Sequence, residues 1–263
     1  MAGRGHNYKY TNHAQVVDMK SNNTCTNLKN YPINIKFASG GVIGGSPMIC
    51  GGFGKASGES KEQSRDECYA YDKLSWAWTL HANLNSERKH LSSSVINGAL
   101  WVSGGMMAGN VDGTTEYIHA NGTVVAGPNL PVARYGHCSV PLHDGKVMII
   151  GGAGDLHRLS YVEKTVLIFS PNNNSFTPGP SFIHNRHGFA CTLFSSPMHE
   201  NRPVAMIAGG IGVGQYKTEI LDYTTENAKW EQGKQLLSTK ITGHSKTTIT
   251  ALQGRGFMKY QCD

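Results

Sequence analysis

A short apolar run that ends in two glycines occurs four times in this chain, and no other feature restricts the fold as much. The clearest copy is Val147-Met-Ile-Ile-Gly-Gly152. The others are Met48-Ile-Cys-Gly-Gly52, Leu100-Trp-Val-Ser-Gly-Gly105 and Met206-Ile-Ala-Gly-Gly210. A brief apolar run bounded by turn residues reads as a buried strand. The glycine pair stops it, because glycine enters positive-φ geometry freely and lets another backbone approach closely. Successive pairs are 53, 47 and 58 residues apart. One unit of a repeat array cannot bury its own apolar face. The 263 residues therefore read as one domain, 1–263, rather than two.

Each glycine pair is followed by a loop and then by an alternating strand. The clearest are Glu67-Cys-Tyr-Ala-Tyr-Asp72, Thr115-Glu-Tyr-Ile-His119, Thr165-Val-Leu-Ile-Phe169 and Thr218-Glu-Ile-Leu-Asp-Tyr223. Tight turns such as Asn121-Gly122 and Pro171-Asn-Asn-Asn174 come next. A fourth segment carries Trp78, Val124-Val125, Phe176 or Trp230. An Arg-bearing strand then leads back to the next apolar run: Arg88-Lys-His-Leu, Arg134-Tyr-Gly-His and Arg186-His-Gly-Phe, with a variant at Thr242-Gly-His-Ser. Four antiparallel strands per repeat, with no helical periodicity, make one blade of an all-β propeller.

Apolar strand, Gly-Gly, Tyr and then Trp at this spacing resembles the kelch repeat. Arg134-Tyr-Gly-His-Cys-Ser139 resembles the kelch strand that precedes the glycine pair. The copies depart from that pattern where the third repeat has Val124-Val-Ala-Gly127 in place of Trp and the fourth has Phe176. The expected fold is a kelch-type β-propeller with four complete four-stranded antiparallel blades. A fifth, composite blade is expected from residues 1–30 and 243–262. The alternative is a fragment of a six-bladed propeller, since the chain starts at a glycine-pair position.

The loops at 53–66, 106–114, 153–163 and 211–217 all follow a glycine pair, so they fall on one face. Variable loops on a rigid scaffold suit protein recognition. The expected function is a non-catalytic protein–protein interaction module that acts as a monomer. Arg88, Arg134, Arg186 and His187 are the expected contacts, as cations able to hold carboxylates. The kelch resemblance also implies two alternatives: the propeller domain of a secreted galactose-oxidase-like enzyme, or an intracellular ubiquitin-ligase substrate adaptor. No catalytic residue, cofactor or metal is expected. His90, His137, His187 and His244 read as one recurrent repeat position without the second ligands a metal needs. Gly209-Gly-Ile-Gly-Val-Gly214 lacks the spacing and the following helix of a nucleotide loop.

The net charge of +6 is spread along the chain, which argues against a nucleic-acid partner. No run approaches the 18 apolar residues of a membrane helix. Six cysteines are present without a CxxC pair, which reads either as buried small hydrophobes or as disulfides; if any pair bridges, it is Cys50 with Cys68, on neighbouring strands. Asn22-Asn-Thr24, Asn121-Gly-Thr123 and Asn173-Asn-Ser175 are N-glycosylation triplets in turn-like segments. They fit a secreted chain that lacks its leader here; otherwise a cytoplasmic location is expected.

Overall fold

The computed structural model describes residues 12–14, 16–18, 23–25, 28–72, 74–154, 164–214 and 216–233. Four antiparallel sheets of four strands follow one another along the chain. Blade I contains Ser39–Ile43, Ser46–Cys50, Glu67–Asp72 and Ala77–Asn83. Blade II contains Ser92–Ile96, Ala99–Met107, Asn110–Ile118 and Val124–Ala126. Blade III contains Cys138–Pro141, Val147–Ile150, Val166–Ser170 and Ser175–Gly179. Blade IV contains Ala190–Ser196, Arg202–Ala208, Thr218–Leu221 and Trp230–Gln232. Within each sheet the strands lie in sequence order, so each repeat is a meander. Upstream, Val16–Asp18 pairs with Asn23–Cys25. Residues 243–262, the expected partners of that pair in a composite blade, lie outside the described residues, as does His244.

Apolar side chains fill the gaps between blades, which is why the inner strands read as continuous apolar runs rather than alternating ones. Val147–Ile150 is buried on both faces. Its Val147 and Ile149 meet Trp101 of blade II and Phe169, while Met148 and Ile150 meet Ala205 and Ile207 of blade IV. Cys50, Leu100, Val102 and Ile118 close the gap between blades I and II. The aromatic residue of the fourth strand ties down the segment that enters its blade. Trp78 Nε1 donates to the Lys29 carbonyl and Trp230 Nε1 to the Pro180 carbonyl.

The glycine pairs do what the sequence demands of them. Gly151 and Gly152 have φ of 57° and 100°. A Cβ on Gly152 would lie 2.8 Å from the His137 Cβ and 2.9 Å from the Tyr135 carbonyl oxygen. The second glycine of the first three pairs also joins two blades: the N–H of Gly52, Gly105 and Gly152 donates to the carbonyl of Arg88, Arg134 and Arg186 respectively.

The neighbouring inner strands are joined side by side by a recurring link. The first residue of one innermost strand meets the second residue of the next. Between blades I and II it is Ser39 Oγ with Ser93 Oγ at 2.6 Å, and between II and III it is Ser92 Oγ with Ser139 Oγ at 2.7 Å. Between III and IV the same two positions are Cys138 and Cys191, which form a disulfide with Cα atoms 6.1 Å apart. The expected Cys50–Cys68 bridge is also present, across directly opposed residues of two strands.

Three of the expected loops carry strand instead: within 53–66, Phe53–Ala56 pairs with Ile33–Lys36 and with Gln63–Ser64, and within 211–217, Ile211–Gly212 pairs with Arg186–His187. Residues 106–114 continue the hairpin of blade II, which runs through Gly104-Gly105 by a bulge and turns at Ala108-Gly109.

Candidate binding site at the mouth of the blades

The Arg-bearing segments that enter blades II, III and IV lie on the face of the post-glycine segments, with Ile35 at the same position before blade I, but the arginine side chains point inward. Arg88, Arg134 and Arg186 are 1%, 0% and 0% exposed. The Arg88 guanidinium binds Asp112 Oδ2 at 2.9 Å, Glu116 Oε1 at 2.5 Å and the carbonyls of Gly104 and Thr114. Arg186 binds the Glu219 carboxylate and the carbonyls of His184, Gly209 and Lys217. Burial works against the Arg186 charge and the Glu219 carboxylate supports it. Arg134 binds the Gly151 and Val132 carbonyls and Thr165 Oγ1. The expected ring of solvent-facing cations is therefore corrected. A buried guanidinium already held by backbone carbonyls and carboxylates is a lock between segments, not a hand for a partner.

These carboxylates have a second task, and its pattern explains where they are missing. Glu116 Oε2 accepts the Asn85 N–H at 2.7 Å, and Glu219 Oε2 accepts the Ile183 N–H at 2.6 Å. Asn85 and Ile183 each stand three residues before the repeat arginine. In blade III the residue three before Arg134 is Pro131, and Leu167 occupies the carboxylate position opposite Ile149. In blade I, Pro32 stands at the corresponding place and Tyr69 takes the carboxylate position opposite Ile49. Proline brings no N–H, so donor and acceptor disappear together and no buried polar group is orphaned.

The histidines correct a second expectation. His187 directly follows its arginine, His90 comes two residues after, and His137 three after. They occupy three different positions of the repeat and do not converge as one set. Ser103 Oγ hydrogen-bonds His137 Nε2 at 2.9 Å inside the blade. His187, a predicted contact, is 7% exposed, and burial lowers its pKa below the ordinary histidine value, which favours the neutral ring near pH 7.

Two residues past each arginine position, four segments of the chain form a belt. His90 N donates to the Phe37 carbonyl at 3.0 Å, Gly136 N to the His90 carbonyl at 2.9 Å and Gly188 N to the Gly136 carbonyl at 2.7 Å. All four residues are left-handed, with φ of 61° at Phe37, 57° at His90, 60° at Gly136 and 61° at Gly188. Glycine adopts this geometry freely, whereas an L side chain costs about 1–2 kcal/mol there. Two blades nonetheless carry rings, and these stack with centroids 3.9 Å apart. Tyr135 continues the array edge-on, 5.8 Å from His90 and 5.5 Å from His187.

Beside the belt lie the residues that directly follow the arginine position: Lys36, Lys89, Tyr135 and His187. Each pairs with the residue just after a glycine pair, namely Phe53, Met106, Ala153 and Ile211. The Lys89 Nζ sits 4.4 Å from the Phe53 ring centroid and the Lys36 Nζ 5.4 Å from it. The lysines, Phe53, Phe37 and His90 are all half-buried. Two ammonium groups lie on aromatic faces there, and Lys89 with the Phe53 ring offers an anion both charge and a flat surface for packing. Reasoning on repeat identity picked out the arginines and passed over Lys36, Phe53, Lys89 and Tyr135. The signal was the position just after the arginine position for Lys36, Lys89 and Tyr135, and the position just after the glycine pair for Phe53; both vary from repeat to repeat.

No protein-family model matches the chain, and no curated protein matches it. Among solved structures, that of YjhT, a propeller-fold protein, superposes with a TM-score of 0.58 at 16% identity, over 78% of this chain and 66% of that one. The match thus spans slightly less than two thirds of YjhT. At this identity the likeness is one of fold alone. The architecture is propeller-like. No helix among the described residues is long and apolar enough to cross a membrane.

Proposed function

We propose that this chain is a kelch-type propeller acting as a non-catalytic recognition module, and that its protein partner presents an acidic segment to the mouth lined by Lys36, Phe53, Lys89 and His90. The observation that carries the reading is the retained strain at Phe37 and His90. Sister blades place glycine at the same point of the belt, so the fold itself does not require a side chain there. Left-handed non-glycine residues kept against such a preference cluster at binding sites. The two lysines beside them supply the sign of the ligand. The neutral state favoured for His187 leaves Lys89, over the Phe53 ring, as the cation on which the reading rests near pH 7.

The test uses synthetic hexapeptides, acidic, neutral and basic, titrated against the full chain and against Lys89→Ala and His90→Gly. Glycine is already native at this point in two blades, so the second variant keeps its backbone geometry. The acidic peptides are expected to bind, more weakly as salt rises. Loss of Lys89 removes a charge-assisted contact of about 1.5–3 kcal/mol, or roughly ten- to a hundredfold in affinity. Equal binding of all three peptide classes, or acidic binding unaffected by both substitutions, rejects the proposal.

A further inference from the structure

The turns between third and fourth strands lie on the face opposite the mouth, and they share one backbone geometry. Each carries a left-handed residue: Trp76 at φ 53° in blade I, Gly122 at 85° in blade II, Asn174 at 52° in blade III and Asn227 at 57° in blade IV. In blades II and III the residue before it is an exposed asparagine, and the residue after it is Thr123 or Ser175. Two of the three glycosylation triplets are thus the same turn in neighbouring blades, with the same residue of the triplet left-handed.

The side chains are arranged alike as well. Asn121 Oδ1 accepts the Thr123 N–H at 3.0 Å, and Asn173 Oδ1 accepts the Ser175 hydroxyl at 2.8 Å. In both, the carbonyl end of the amide is held back toward the third residue of the triplet. The Nδ2 that would carry a sugar makes no hydrogen bond among the described residues. An independent observation bears on the compartment: the four cysteines of blades I, III and IV are all in disulfides. Such bridges persist in oxidising compartments, where N-linked transfer also takes place.

We infer that Asn121 and Asn173 both carry N-linked glycans, which cover the turn face of blades II and III and leave the mouth face bare. In the transfer, a new bond forms between Nδ2 and the anomeric carbon of a lipid-pyrophosphate-linked oligosaccharide. The bond from that carbon to the phosphate oxygen breaks, the lipid pyrophosphate leaves, and Nδ2 gives up one proton. The folded turns accommodate the product because both asparagines already face solvent. Neither the acidic-partner reading nor its failure affects this inference, since the two sites lie on opposite faces.

The experiment is peptide mapping of the protein purified from its native cells, before and after treatment with peptide N-glycosidase. Positions 121 and 173 are each expected to read as aspartate after the enzyme, with the glycan mass lost. Asparagine in unmodified form at either position in the native protein overturns the inference for that turn. Asn22 as the sole modified position overturns it for both. A second measurement guards against an occupied but buried site. Glycosidase treatment of the folded protein, without denaturant, is expected to release both glycans and leave the thermal midpoint nearly unchanged. Release that requires unfolding refutes the exposed-turn placement.

Discussion

Replacing the Cys138–Cys191 bridge by two serines should restore, at the junction of blades III and IV, the link that the other two junctions already have. The disulfide closes a loop with a sequence separation of 53. Chain-entropy arithmetic for a loop of that length gives about 4 kcal/mol of stabilisation. A serine pair at these positions is 2.6–2.7 Å apart in the sister junctions. One such hydrogen bond returns about 1 kcal/mol. The double variant Cys138→Ser with Cys191→Ser should therefore lose about 3 kcal/mol, and the double alanine variant about 4 kcal/mol plus the volume removed. For a chain of this size 3 kcal/mol corresponds to a fall of roughly 6–12 °C in the thermal midpoint. Variants separate the two bridges, whereas a reductant would open Cys50–Cys68 as well. Calorimetry of wild type, the serine pair and the alanine pair decides the matter. A serine pair no more stable than the alanine pair would show that the inner-strand positions are not interchangeable between junctions.

Three further outcomes follow from the same geometry. Glu219→Ala leaves the Arg186 guanidinium buried without its carboxylate and removes the acceptor of the Ile183 and His184 N–H groups, so urea unfolding should show a loss of about 3–5 kcal/mol; a loss below 1 kcal/mol would contradict the lock. Gly152→Val combines a left-handed backbone with a Cβ that meets His137 and Tyr135, and is expected to lower the thermal midpoint severely or abolish soluble expression, while an unchanged midpoint would show that the glycine is dispensable. The lowered pKa of His187 means that the unfolded chain binds this proton more readily than the folded one, so stability is full above the ordinary value of about 6.5 and declines as pH falls below it toward the folded-state value. His187→Asn should flatten that part of the curve, and an identical slope in the variant would assign it to other groups.

The parts of this fold written into the sequence are those that repeat. Glycine pairs, the strand after them and the Trp or Phe of the fourth strand recur in step, so the four-stranded blades could be read from spacing, and Cys50 with Cys68 could be named as neighbours though not as a bridge. The same regularity misled at the arginines. A recurrent cation on a recurrent strand start invites a ring of binding groups. Whether a guanidinium faces solvent, however, depends on the Asp112, Glu116 and Glu219 carboxylates, which reach it from another strand of the same blade. The second disulfide was hidden for a related reason. Cys138 and Cys191 occupy adjacent rather than identical positions of their repeats, and only the stagger between neighbouring inner strands brings them opposite.

What distinguishes one blade from another is therefore where function has room to appear. A position that every blade fills in the same way, such as the second glycine of the pair, answers to the closure of the array. A position that the blades fill differently, at no gain to closure, answers to something outside it. The belt makes this comparison within one molecule. Gly136 and Gly188 show what the backbone prefers, and Phe37 and His90 depart from it at a cost of about 1–2 kcal/mol each. Their stacked rings, the edge-on Tyr135 and the Lys36 ammonium over the Phe37 ring return part of that cost inside the fold. The proposed recognition role gives these two rings a task beyond that packing. It also predicts that His90→Gly loses peptide binding without a matching loss of stability, so a variant that loses both in proportion would make the ring a packing element instead.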